Sequence, residues 1–372
     1  MADNKMLGIV FSNMHDDFLS DLTLHRTTAS VPFGGRYRLI DFTLSNLVNS
    51  GIDEVGIIAK SNYHSLMDHV GSGKEWDLAR KRGGLTILPP FARSGSGVYR
   101  GNLEALAGIM GYIRSSSANY VVLSDCTIVS NFDMKKALEE HKKSGVGMTI
   151  FYSPGQTIRS PHDQVGVVAN AKGMLQEVVL NPEKGSIHNT YENIAIVDRE
   201  LLIHKVNHAV SRNRYSLVKD VLTEMAGGDS VQCLPIPGTA LAIHDMQSYF
   251  ESNMKLLDPR VRSQLFDKER PVYTKVRDQV PAKYGLNAQV ENSLVADGCI
   301  IEGQVKNSII FRGVYVGKGT RVENCILMQD TRVEDNADLG YVITDKNVLI
   351  HSSRKLAGHL TYPFFVPKDQ RI

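Results

Sequence analysis

The chain has 372 residues, 42% hydrophobic and 22% charged, with a formal net charge of +2. That length exceeds one ordinary core and predicts two domains, and the composition predicts a soluble, cytoplasmic protein. The near-neutral charge excludes the basic face that a nucleic-acid partner demands. Cys126, Cys233, Cys299 and Cys325 stand far apart with no CxxC pair, which argues against structural zinc or a disulfide framework and predicts buried, reduced thiols. The first residues are too polar for a signal peptide, and no stretch approaches the roughly 20 apolar residues of a membrane span.

In chain order, Met6–Phe11 (MLGIVF) reads as a buried strand and residues 38–50 as a helix stopped by Gly51. Residues 54–59 give a second strand, 103–115 a second helix and 120–124 a third strand. Met134–Ser144 is a third helix, closed by Gly145, and 146–152 a fourth strand. Strand, helix, strand at this spacing predicts a mostly parallel sheet covered by helices, an α/β domain over residues 1–255. Ligands on such sheets bind beyond the carboxyl ends of the strands, in the loops after Phe11, Ala59 and Ser124. Residues 256–287, charged and carrying Pro259, Pro271 and Pro281, read as a linker. From residue 288 to 372 aliphatics recur at six-residue steps: Leu294 and Ile300, then Ile310, Val316 and Val322, then Val333 and Leu339. With Asn, Asp and Gly between them, that period predicts a parallel β-helix; an antiparallel sandwich is the alternative.

The run Pro32-Phe33-Gly34-Gly35-Arg36-Tyr37-Arg38-Leu39-Ile40-Asp41-Phe42-Thr43-Leu44-Ser45-Asn46 resembles the P-x-x-F-G-G-x-[FY]-R-[LI]-I-D-F-x-L-S-N segment of ADP-glucose pyrophosphorylases (glucose-1-phosphate adenylyltransferases). Asn49-Ser50-Gly51-Ile52 continues it, and Tyr99-Arg100-Gly101 is similar to the family's W-Y-R-G-T. With the repeating tail, the resemblance covers nearly the whole chain. It implies a nucleotidyltransferase-type (Rossmann-like) α/β domain followed by a left-handed parallel β-helix, in a tetramer that makes ADP-glucose from ATP and glucose 1-phosphate for glycogen.

That reaction brings two anions together, so the resemblance implies backbone donors, cations and a carboxylate-held Mg²⁺. The family's phosphate loop reads G-G-x-G-T-R-L. Here Asn13-Met14-His15-Asp16-Asp17-Phe18-Leu19 lacks the glycines, puts Phe18 at the arginine position and sets Asp16 and Asp17 where a polyphosphate would lie. A like-charge contact at ~4 Å costs about 4 kcal/mol at an effective dielectric of about 20. Thr28-Ala29 replaces the family's K-P pair. Of the two metal-binding aspartates, the first aligns with Cys126, or with Asp125 after a one-residue slip. The second aligns with Ala242, in the register fixed by Ser248-Tyr249-Phe250-Glu251-Ser252-Asn253 against A-Y-W-x-A-N, so Mg²⁺ binding is expected to be lost or weak. Leu180-Asn181-Pro182 replaces an E-K-P whose lysine contacts the sugar phosphate. Tyr99, Arg100, Gly101 and Asp125 remain as a vestigial substrate-binding set, and Lys219-Asp220 is kept.

An intact scaffold with site positions lost together resembles a GlgD-type subunit. That resemblance implies a catalytically impaired chain, with no cofactor of its own, that assembles with a catalytic ADP-glucose pyrophosphorylase subunit as a heterotetramer and modulates it. The other readings are an active nucleotidyltransferase with a rebuilt phosphate loop, and a stand-alone sugar-phosphate sensor. Arg36 and Arg38, flanking the Gly34-Gly35 turn, are candidates for an anionic effector such as a sugar phosphate, or for ion pairs with Asp41 or a neighbouring chain. Tyr99 and Arg100 either hold a sugar or phosphate or brace their own loop. His15 with Asp16 and Asp17 lacks a fourth metal ligand, and Lys74, Arg80, Lys81 and Arg82 read as a solvated face.

Overall fold

The computed structural model describes residues 4–12, 19–90, 99–160 and 164–372. Strands β1 (Met6–Phe11), β2 (Glu54–Ile58), β3 (Gly84–Leu88) and β4 (Tyr120–Asp125) run parallel in the order β4-β1-β2-β3. All six residues of β1 are buried, as they must be in a strand with helices on both faces. The strand period divides them: Met6 and Val10 join one apolar cluster, Leu7, Ile9 and Phe11 the other.

Five more strands complete a nine-stranded mixed sheet: β5 (Met148–Thr157), β6 (Gly166–Ala169), β7 (Leu175–Val179), β8 (Ile187–Asp198) and β9 (Val231–Pro235). The fourth strand read from the sequence is β5, and it does not extend the parallel run. The 12-residue β8 enters between β4 and β5, antiparallel to both, and β9 then pairs parallel with β5. Apolar periodicity identifies a strand but not its neighbour.

Helix α1 (Leu39–Asn49) begins where the Asp41 carboxylate accepts the Arg38 backbone N–H at 2.9 Å. A short helix, α2 (His64–Val70), follows β2. The expected helix over 103–115 is two, α3 (Asn102–Gly108) and α4 (Met110–Ser115), broken at Ile109. Helix α5 (Met134–Ser144) has the bounds its signals dictate. The Asp133 carboxylate accepts the Lys135 N–H at 2.8 Å, and Gly145 closes the helix at φ +68°. Later come α6 (Arg199–Val210), α7 (Met246–Lys255) and α8 (Pro259–Leu265). Among the described residues no helix is long and apolar enough to cross a membrane. All four cysteines are buried and unbridged.

The C-terminal region is a left-handed parallel β-helix of three five-stranded sheets. One sheet stacks Lys283–Tyr284, Ile300–Ile301, Tyr315–Val316, Arg332–Val333 and Leu349–Ile350. Asn292, Asn307, Asn324, Asn336 and Asn347 turn with φ between 41° and 58°, a conformation asparagine tolerates better than most residues. Ile310, Val316, Val322, Val333 and Leu339 fill the interior as the six-residue step predicts. The first pair does not: Ile300 is 40% exposed while Ile301 is fully buried, and Val295, not Leu294, packs with it. Adjacent isoleucines left the register open by one residue, which in a strand exchanges the two faces.

Residues 256–287 hold α8 and already include the first paired strand at Lys283–Tyr284. Leu256 and Leu265 sink into the same cluster as Phe33, Phe42, Tyr249 and Phe250 of the α/β domain and Ile309, Phe311, Ile326 and Met328 of the β-helix. The two domains therefore share one apolar core.

Candidate functional site

The space beyond the carboxyl ends of β1 and β4 is lined by Phe11, Asn102, Leu123, Asp125, Tyr191, Asn193 and Leu217. Its volume is about 20 Å³, and one water needs roughly 10–15 Å³. Among the described residues this pocket is small. Beside it β8 carries a bulge, where pairing to β5 slips between Tyr191 and Ile194 and Asn193 takes φ +54°. Tyr191 is buried there, which pushes its phenol well above the usual range.

Asp125 ends β4 with its Oδ1 accepting the Cys126 N–H at 2.5 Å. Asp125 lines the pocket, whereas Cys126 lies in the apolar core on the other side. Burial, with the Asp125 charge adding, pushes the Cys126 thiol far above its usual value. Of the two registers open in the sequence, this geometry puts Asp125 in the site. Ala242 closes the short strand Ala240–Ala242 opposite Ile128 and supplies no oxygen. Among the described lining residues Asp125 is the one carboxylate, which does not fit a carboxylate-held Mg²⁺. Asp16, Asp17 and Phe18 lie outside the described residues.

The other positions are structural in their contacts. Thr28 is buried in a 3₁₀ turn, its carbonyl accepting the Val31 N–H at 3.0 Å. Asn181 is exposed in a turn at φ +50°. Tyr99 packs against the α3 region beside Gly108. Glu104 takes both the Arg100 backbone N–H (2.7 Å) and its Nε (2.7 Å), while the guanidinium lies over the Tyr215 ring at 5.1 Å. A side chain at Gly101 would strike the Tyr215 carbonyl. Asp220 accepts the Tyr215 and Ser216 N–H groups at 2.9 Å each. Arg100 and Gly101 thus make their described contacts to Glu104 and Tyr215. Arg80 pairs with Asp77 at 2.6 Å and Asp53 at 3.2 Å on the surface.

A second concavity lies between the domains. Pro32–Phe33 pairs with Tyr37–Arg38 around a turn in which Gly34 and Gly35 take φ +61° and +85°. Tyr249 donates its hydroxyl to the Pro32 carbonyl at 2.6 Å, and Asn253 Oδ1 accepts the Gly34 N–H at 3.0 Å. The turn abuts the β-helix: a Cβ on Gly35 would lie 3.7 Å from the Ile310 carbonyl. Arg36 and Arg38 thereby enter a cavity of about 90 Å³ whose lining also includes Lys275, Arg277, Arg312 and Lys346, against one carboxylate, Asp330.

Six basic groups so placed repel one another, in part offset by Asp68 on Lys275 and Asp297 on Arg312, each at 3.2 Å. Burial lowers the Arg38 pKa to about 10, opposed by Asp41 and reinforced by Arg277 and Arg26. Burial, then Arg38 and Arg26, pushes Lys346 down to about 7. The Arg38 guanidinium donates to the Ser65 carbonyl (2.6 Å) and hydroxyl (2.9 Å), while the Asp41 carboxylate takes the Arg38 backbone N–H. Asp41 instead meets His69 Nε2 at 2.5 Å; burial lowers the His69 pKa more than Asp41 raises it, so a neutral ring donates. Arg312 Nη2 and Gln329 Oε1 are buried without a hydrogen-bond partner among the described residues. An anion would satisfy the first and relieve the repulsion. The sequence pointed to Arg36 and Arg38 but missed Lys275, Arg277, Arg312 and Lys346, which reach the cavity from distant stretches. The one available signal was Lys275 and Arg277, two residues apart just before the β-helix.

Residues 18–228 match the nucleotidyl transferase family, and residues 278–358 the GlmU-like C-terminal hexapeptide family. The chain is 34% identical over 369 residues to the glycogen biosynthesis protein GlgD of Bacillus subtilis (strain 168), covering 99% of this chain and 97% of that one. It is 36% identical over 321 residues to GlgD of Geobacillus stearothermophilus, covering 86% and 83%. It is 30% identical over 345 residues to the glucose-1-phosphate adenylyltransferase of Clostridium perfringens (strain SM101 / Type A), covering 90% and 87%. The chain belongs to the ADP-glucose pyrophosphorylase family. Kinship with these proteins supports a role in glycogen biosynthesis.

Proposed function

We propose that the chain is a regulatory, catalytically impaired subunit of glucose-1-phosphate adenylyltransferase, cytoplasmic, which assembles with a catalytic subunit and tunes it in response to an anionic effector such as a sugar phosphate. The observation that carries this reading is the contrast between a small pocket beyond β1 and β4, lined by the single carboxylate of Asp125, and a cavity of about 90 Å³ between the domains lined by Arg36, Arg38, Lys275, Arg277, Arg312 and Lys346. The shared core means that whatever binds in the cavity touches both domains at once, which a modulator of subunit arrangement requires.

Assembly is supported by the open end of the β-helix. Its first-coil strands, Lys283–Tyr284, Gln289–Glu291 and Leu294–Val295, each stand at the edge of a sheet. Around them Val280, Tyr284, Leu286 and Ile300 expose apolar side chains. Unpaired strand edges with apolar neighbours are surfaces that proteins cover.

The test is ADP-glucose synthesis by this chain, by a catalytic subunit and by the two mixed. Silence from this chain alone with altered kinetics in the mixture is the expected result. Turnover by this chain alone would instead establish a rebuilt active site. A mixture with the kinetics of the catalytic subunit by itself would remove the regulatory role.

A further inference from the structure

Arg26 Nη2 meets Asp345 Oδ2 at 2.9 Å with both side chains only 4% exposed, the most enclosed Arg–carboxylate pair among the described residues. The pair crosses the domain boundary. Arg26 lies ahead of the Gly-Gly turn, and Asp345 follows the β-helix strand Val342–Thr344. Asp345 is fixed by the fold: its Oδ1 accepts the Lys346 N–H at 2.7 Å, and its carbonyl accepts the Thr331 hydroxyl at 3.3 Å. Arg26 is only half satisfied, because Nη1 is buried with no partner among the described residues. Its charge reaches the cavity wall, since it adds to the lowering of both the Arg38 and the Lys346 pKa. Without Asp345, Arg26 would be one more uncompensated cation behind that wall.

We propose that Asp345 is a built-in counter-anion: a carboxylate carried by the β-helix that satisfies Arg26 in place of a bound anion and latches the two domains together when the cavity is empty. This rests on the reading of the cavity as an anion site and adds its regulation. The chain holds its domain arrangement without a ligand, and Asp345 sets how much further negative charge the cavity accepts. Because both partners are buried, losing either one leaves a charge that neither water nor another side chain compensates.

The experiment is calorimetric titration of the full-length chain with sulfate, together with its melting temperature. Asp345→Asn is expected to bind sulfate about tenfold tighter, and Arg26→Gln about tenfold weaker, the size of one added or removed charge at partly screened range. Each single variant melts earlier without sulfate, and sulfate restores only Asp345→Asn. The double variant, neutral at both positions, returns to wild-type affinity. Unchanged sulfate affinity in both single variants overturns the proposal. Arg312→Gln separates the two readings: if it alone abolishes binding while Asp345→Asn and Arg26→Gln do not alter it, the cavity stands and the latch falls. If Arg312→Gln binds sulfate like the wild type, or the wild type does not bind it, the cavity reading falls as well. Where a single variant is too unstable to titrate, refolding in sulfate decides: rescue of Asp345→Asn but not of Arg26→Gln is expected, and equal behaviour contradicts it.

Discussion

The pocket beyond β1 and β4 and the cavity between the domains have opposite electrostatic characters. The first is lined by Phe11, Leu123, Tyr191 and Leu217 around a single carboxylate and has space for about one water. The second gathers six cations around an opening more than four times as large. The first belongs to a separate apolar cluster of the α/β domain, whereas beside the second an apolar core runs unbroken from Phe33 and Phe42 through Tyr249 to Phe311 and Met328. The first offers a single carboxylate beyond the sheet, and the second concentrates cations where the β-helix meets the α/β domain.

The largest expected effect tests whether the two regions are mechanically one body. Phe311, on the β-helix side of the shared core, is fully buried, so Phe311→Ala should destabilise the fold by about 3–5 kcal/mol. Trp76, the chain's one tryptophan, sits in the α/β domain, and its fluorescence in urea should shift with the same midpoint as the whole-chain circular dichroism. Two separate transitions would break the comparison at its root.

Next is the pocket beyond β1 and β4. Glu192, between Tyr191 and Asn193 in the β8 bulge, is buried, accepts the Thr190 hydroxyl at 2.9 Å, and burial raises its pKa to about 7. The folded state therefore holds a proton between the unfolded value near 4.5 and about 7 that the unfolded chain has released. Its contribution to stability falls as pH rises through that window, and the penalty is complete above it. Glu192→Gln should stabilise the protein by about 2–3 kcal/mol at pH 8 and by far less at pH 4.5, measured by urea denaturation at both. Equal effects at the two pH values would mean that the bulge is solvated and the pocket open.

The cavity gives two smaller effects. Arg312→Gln removes a cavity cation already held at 3.2 Å by Asp297, and should weaken sulfate binding by about tenfold without altering the fold. Lys346, depressed to about 7, is mostly neutral at pH 8, and a bound anion draws it back to the charged form. Sulfate, whose own charge is constant, should bind severalfold tighter at pH 6 than at pH 8, and Lys346→Gln should flatten that profile. A steep profile retained by Lys346→Gln would place the proton elsewhere.

The legible parts of the molecule were those written in local signals. Asp133 and Gly145 bracket α5, and the Pro32-to-Asn46 run carries its family likeness within one segment. Ile300 and Ile301 show where that ends, since two adjacent aliphatics fit the six-residue step equally well and only the stacked partners decide between them. The pocket beyond β1 and β4 was half legible: Ala242 announces a missing carboxylate, but no periodicity marks the bulge that places Tyr191 and Asn193 in its lining. The cavity was least legible of all. Arg36 and Arg38 were conspicuous beside two glycines, whereas Arg312 and Lys346 look like ordinary surface residues until the β-helix folds back onto α1 and α2.

The central claim is that this chain acts through the cavity between its domains. The most direct measurement is ADP-glucose synthesis by a catalytic subunit mixed with this chain, titrated with sugar phosphates, comparing the wild type with Arg312→Gln. The account predicts a rate that responds to a sugar phosphate with the wild-type chain and a flat rate with the variant, while both co-elute with the catalytic subunit. Identical responses from the two mixtures would contradict it.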